Sequence, residues 1–273
     1  MRLPLMFFVL LAGDIAAQLL LGPGIAALHL GAPGLARLAL APVAVVLLLA
    51  LYRIFVHRLE KRRPVAELSG TGLASGLLGG AAIGFMMFVA VIALLWSMGF
   101  ASITPLTAAA FPLGAAGSAL LAATGEELIF RGVLFRIVQE RFGSLAALVL
   151  SAALFGLTHA FNSGATLVST LAIASEAGLL LAAAFLATRS LWLPIGLHFG
   201  WNFTEGGVFG ATVSGGRTTG LVKTIIGGPD LISGGAFGPE ASIVAVLVSV
   251  AVTAVLIAVA VRRGNWRRRV PAH

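Results

Sequence analysis

The chain has 273 residues, 59% of them hydrophobic and only 10% charged, where a soluble domain carries roughly 25% charged residues. A soluble single domain is excluded, because this much apolar surface cannot be hidden in one core beneath a wettable exterior; lipid must be the solvent. There is no cysteine, which excludes disulfides, thiolate zinc sites and cysteine nucleophiles and leaves any catalysis to Glu, Asp, His, Ser or Thr.

A hydrocarbon core of about 30 Å takes about 20 helical residues, and eight apolar runs near that length predict an all-α, polytopic transmembrane helix bundle. They are Leu3 to Leu21, Leu38 to Val56, Gly72 to Trp96, Leu106 to Phe130, Ser144 to His159, Thr166 to Leu186, Pro194 to Val208 and Ala241 to Val261. The fifth and seventh are short for full spans. Three parts are expected: N-terminal helices over 1–105, a core carrying the chemistry over 106–209, and an extracytoplasmic loop, last helix and basic tail over 210–273.

The first run follows Met1-Arg2 and is longer than the ~7–15 apolar residues of a signal peptide, so it reads as a first helix. In the third run Gly72, Gly76, Gly80 and Gly84 recur every four residues, a small-residue face against which another helix packs. Orientation follows from charge. With an even number of spans, 15 of the 18 Lys and Arg residues fall in segments on the side of the termini, which the positive-inside bias makes cytoplasmic. Only Arg37, Arg217 and Lys223 fall outside. The net charge of +8 therefore reflects topology; no aromatic-interleaved basic face points to nucleic acid.

Charged groups inside spans are costly enough to suggest function. The fourth run carries Thr124-Gly125-Glu126-Glu127-Leu128-Ile129-Phe130-Arg131, the fifth ends Phe155-Gly156-Leu157-Thr158-His159, and the seventh carries His198-Phe199-Gly200-Trp201-Asn202. Glu127 and Arg131 are four residues apart and able to pair, whereas Glu126 lies about 100° round the helix and is left free. A turn near Phe142 to Ser144 puts Glu126, Glu127 and His159 at one membrane depth. His198 and Asn202, one turn apart, reach the same layer from another helix. A carboxylate base, two imidazoles and an amide in a place with little water suit hydrolysis of an amide bond. Asp14 and Glu176 have no motif around them and read as packing or hydrogen-bonding groups, and Arg136, Glu140 and Arg141 as a solvated, orientation-setting helix end.

Glu126-Glu127-x-x-x-Arg131, Phe155-x-x-x-His159 and His198-x-x-x-Asn202, in this order on successive apolar runs, resemble the three signature motifs of the CAAX prenyl protease and bacteriocin-processing family. The resemblance covers about Leu106 to Phe209. It implies an integral-membrane endopeptidase whose active site lies within the bundle, open toward the cytoplasm; the Arg-heavy, Lys-poor usage suggests a GC-rich bacterial genome, so the expected membrane is the bacterial plasma membrane. Carried onto this sequence, Glu126 would be the general base that activates water, His159 would help hold that water, and His198 and Asn202 would stabilise the oxyanion. Glu127 and Arg131 would form the supporting ion pair. No cofactor is expected; the alternative is a zinc ion held by His159, His198 and Glu126, although the usual His-Glu-x-x-His pattern is missing. The expected partners are the bilayer and a peptide or protein cleaved near or within it. A non-catalytic scaffold or immunity protein and a proton-coupled transporter are the competing readings, told apart by whether the polar groups converge on one cavity, disperse, or line a path open to both faces.

Overall fold

A computed structural model describes residues 2–25, 33–105 and 112–268. The expected start of the fourth run at Leu106 and both chain termini lie outside the described residues. Within them the chain forms eight longer helices, three short helical turns at Ala66–Leu68, Asp230–Ser233 and Pro239–Ala241, and one two-stranded ribbon. Helix α1 spans Arg2–Leu19 and α2 spans Pro33–Phe55, each prolonged by a π-helical turn, Leu20–Gly24 and Val56–Glu60. Helix α3 is Leu73–Ser97. Strand β1, Ala101–Pro105, pairs antiparallel with β2, Val222–Ile226. Helix α4, Leu113–Glu127, runs on through a π-helical stretch, Leu128–Phe135, into α5, Arg136–His159. Helix α6, Leu167–Thr188, is interrupted by a π-helical turn at Ala174–Gly178. Helix α7, Trp192–Asn202, continues as a π-helical Phe203–Val208, and α8 is Ile243–Arg262.

Six stretches among the described residues are long and apolar enough to cross a membrane. The fifth expected run, and the fourth from Leu113 onward, lie within one of them, Leu113–His159, which turns at Gly143 (φ 82°, ψ 175°), a left-handed backbone that glycine adopts without steric cost. The seventh run stays short, as its length predicted. The fourth run is longer than expected and continues past Arg131, because the charge of Arg131 is taken up inside the bundle and does not end the helix.

The outward faces of these helices carry bare apolar side chains such as Phe8, Leu47 and Leu78, as lipid-facing surfaces do. Inside, small residues bring backbones together. A methyl on Gly80 or Gly84 of α3 would collide with the backbone carbonyls of Leu193 or Leu197, and one on Gly196 or Gly200 of α7 with those of Leu77 or Ala81. The glycine face of α3 therefore seats the helix that carries His198 and Asn202, at a separation that larger side chains would forbid.

The two ends of the bundle differ. One gathers the segments 60–69, 139–144, 187–192 and 263–267, tied by Leu191 N to Glu67 O (2.9 Å), Ser144 N to Arg267 O (2.9 Å) and the Trp192 indole to Ser69 O (2.7 Å). Here Arg136 corrects the sequence expectation of a solvated helix end. It is 3% exposed and pairs with Glu60, with Glu67 (3.5 Å) and with Glu140 (3.4 Å), because the chain after α2 folds beneath the bundle and carries Glu67 inward. The opposite end holds the β1–β2 ribbon and the loops 160–165 and 209–241.

Candidate active site

Glu127 and Arg131 meet as their spacing requires: Oε1 of Glu127 accepts from Nη1 of Arg131 at 2.7 Å, with both side chains fully buried. The guanidinium also donates from Nη2 to the carbonyls of Ala177 (3.2 Å) and Gly178 (3.1 Å) on α6 and lies 4.6 Å from the centre of the Phe155 ring. The pair thus clamps α4 to α6 and α5. The same Oε1 of Glu127 lies 3.1 Å from Nδ1 of His198. A carboxylate accepts only, so Nδ1 donates, and Nε2 of His198 is presented 4.0 Å from Oε2 of Glu126.

Glu126 differs from its neighbour. Its side chain is 20% exposed and lines a cavity of about 590 Å³. Its Oε2 is buried without a hydrogen-bond partner. Gly125, beside it, allows Asp14 of α1 to approach so closely that a methyl there would overlap the Asp14 carboxylate.

His159 lines the same cavity from the end of α5. Its Nδ1 donates to its own Phe155 carbonyl at 2.9 Å, which in a neutral ring leaves the lone pair on Nε2. Phe155, 1% exposed, stands between the imidazoles, with ring centres 4.7 Å from His159 and 6.2 Å from His198. Asn202, one turn beyond His198, lines the cavity from α7. Four of the six sequence-selected residues, Glu126, His159, His198 and Asn202, therefore border one space, and Glu127 with Arg131 lies directly behind it. Among the described residues no three His, Asp or Glu side chains are placed to hold a metal ion.

Asp14 and Glu176 also line the cavity. Asp14 accepts from Gln18 at 2.7 Å through Oδ2 while its Oδ1 is unpartnered, and Glu176 accepts from Ser249 at 3.5 Å. Sequence reasoning missed two further carboxylates. Glu205 is fully buried beside Trp201 and Glu240; Glu240 accepts from the Ser214 backbone N–H at 2.5 Å and lines the cavity. Burial pushes the Glu240 carboxyl above the usual carboxylate range. Glu205 was within reach of pattern reasoning, since His198, Asn202 and Glu205 follow at i, i+4 and i+7. Glu240 sits in a loop and carried no such signal.

Residues 108–204 match a family model described as type II CAAX prenyl endopeptidase Rce1-like. The match spans α4 to α7 and so includes all six residues of the three motifs. It supports a protease function and, with the apolar helices, an integral membrane protein. No curated protein and no solved structure matches the chain.

The structure sets two of the sequence expectations against each other. The cavity extends from Glu126 and His198 to Phe161, Asn162 and Ser214, which belong to the end away from the basic clusters. A basic end in the cytoplasm and a site open toward the cytoplasm cannot both hold.

Proposed function

We propose that this protein is an intramembrane endopeptidase in which Glu126 activates water for attack on a peptide bond. What carries the reading is the contrast within one pair of neighbours. Glu127 is consumed by Arg131 and His198, while Glu126, beside it, has no ion-pair partner of its own within 2.7–3.1 Å, keeps an unpartnered Oε2 and lines a cavity that His159, His198 and Asn202 also border.

In the proposed reaction Glu126 takes a proton from a water molecule held with the help of His159 Nε2, and the hydroxide adds to the carbonyl carbon. The developing oxyanion accepts from the Asn202 amide and from Nε2 of His198, which donates there as an imidazolium stabilised through Nδ1 by Glu127. Protonated Glu126 then delivers its proton to the departing amine; the C–N bond breaks to leave a carboxylic acid and an amine. Phe155 and the Glu127–Arg131 clamp hold the two imidazoles in place. The convergence on one cavity supports this over a scaffold with dispersed polar groups, and closure of that cavity toward the basic end supports it over a transport path.

Comparative peptidomics of a deletion strain tests the function. Peptides that persist uncleaved in the deletion should be processed again when the wild-type chain is restored. Indistinguishable peptidomes would contradict the reading. Metal dependence separates the two mechanisms: metal-free chemistry predicts activity that survives chelation, with no stoichiometric transition metal in the purified protein. One equivalent of zinc, with activity lost on chelation and restored by Zn²⁺, would overturn it.

A further inference from the structure

We infer that the cavity takes its substrate from the extracytoplasmic side, so that the substrates are membrane-proximal, outward-facing segments of exported or membrane-anchored polypeptides. This rests on the peptidase reading for what happens in the cavity, but its sidedness stands on three separate observations.

The first is charge. Twelve Lys and Arg residues lie in the segments 53–63, 136–141, 189 and 262–268, which come together at one end of the bundle; three, Arg37, Arg217 and Lys223, lie toward the other. An asymmetry of this size orients membrane proteins with the basic end in the cytoplasm.

The second is closure toward the basic end. Below Glu126 and His198 the rings of Phe130 and Phe155 meet edge to face with centres 5.1 Å apart, beside the fully buried Arg131. Phe135 and Phe185 pack in the same manner at 5.6 Å, one turn further on. Residues 180–187 of α6 are buried throughout. Water and peptide find no entry through this floor.

The third is the mouth. The cavity-lining side chains that are themselves exposed are Ile15, Gln18, Thr158, Phe161 and Asn162, on the far half of α1, at the end of α5 and in the loop that follows. All belong to the end remote from the basic clusters. A 47-residue stretch, Leu113–His159, crosses from that end, turns at Gly143 beside the basic end and returns, so both Glu126 and His159 are reached from the non-basic side. Apolar Ile15 and Phe161 beside polar Gln18 and Asn162 give the rim the mixed character that a segment emerging from a bilayer requires.

The test exploits the lack of native cysteine. Single-cysteine variants Arg63→Cys (basic end), Asn162→Cys (rim), Thr158→Cys (wall at the mouth) and Ala122→Cys (wall deeper in the cavity) are treated in intact cells with a membrane-impermeant maleimide, before and after permeabilisation. Labelling of the rim and wall positions in intact cells, with Arg63→Cys labelled only after permeabilisation, is the expected result. Labelling of Arg63→Cys in intact cells with Asn162→Cys protected would overturn the proposal. So would rim labelling with both wall positions unlabelled or labelled only after permeabilisation. Thr158→Cys and Ala122→Cys lie on different helices, so misfolding of one leaves the other to decide. Because labelling needs no substrate, it fails or succeeds independently of catalysis. Processed peptides whose cut bonds lie in cytoplasmic segments would likewise refute the sidedness while leaving the peptidase standing.

Discussion

Charge is buried in two regions of this molecule, and they treat it differently. At the basic end the Tyr52 hydroxyl donates to Glu67 at 2.5 Å, Arg62 reaches Glu60 and Glu67 at 2.7 Å each, and Arg136 joins both acids. None of these side chains has a buried polar atom without a partner. At and behind the cavity wall, Asp14, Glu126 and Glu127 each retain an unpartnered buried oxygen, and Arg131 an unpartnered N–H. An unsatisfied buried polar atom costs about 1–3 kcal/mol, so a network kept for structure closes on itself, as the first does. The second does not close on itself: Asp14, Glu126 and Trp201 line the cavity, and Glu127 and Arg131 lie directly behind it.

The comparison breaks at different points for different substitutions. The largest effect on folding is expected for Glu127→Gln, which strands the fully buried Arg131; loss of one partner from such a pair costs about 3–5 kcal/mol, read as a fall in folded yield and thermal midpoint. Next is Asn202→Ala, which should leave the thermal midpoint unchanged and lower kcat by about 10²–10³ if its amide serves the oxyanion. A near-native kcat would remove Asn202 from the mechanism. Tyr52→Phe removes one buried hydroxyl from the closed network and should destabilise by about 1 kcal/mol with no change in kcat, since neither Tyr52 nor the Gly132 carbonyl beside it lines the cavity. The smallest effect concerns acid. Burial by itself would raise the Glu67 carboxyl, but the hydrogen bonds from Arg62 and Tyr52 hold it below the ordinary value. An acid so depressed lends stability above its unfolded pKa and loses it as pH falls through the folded one. Acid unfolding should therefore be shallower in Glu67→Gln than in the wild type, and equal slopes would contradict the assignment.

How far the sequence could be read follows the same division. The helices were legible because lipid imposes long apolar runs, and Glu126, Glu127, Arg131, His159, His198 and Asn202 were legible because one period of 3.6 residues and one turn near Gly143 set their depth. Arg136 was misjudged. Its burial depends on Glu67, which reaches it only when the chain beyond α2 folds under the bundle, an arrangement that no local periodicity encodes. Glu240 was invisible for the same reason, being carried by a loop. Glu205 was overlooked although it shares a helix face with His198, and Asp14 and Glu176 proved to border the cavity because helix neighbours, not sequence neighbours, surround it.

The measurement closest to the central claim is the turnover of purified Glu126→Gln in lipid, on a peptide identified as a substrate, beside the wild type and Glu127→Gln. The amide keeps the shape of the side chain and removes the proton acceptor. The account predicts a native thermal midpoint with kcat reduced by about 10²–10⁴, the range of a general base. Wild-type turnover by a folded Glu126→Gln protein would contradict it.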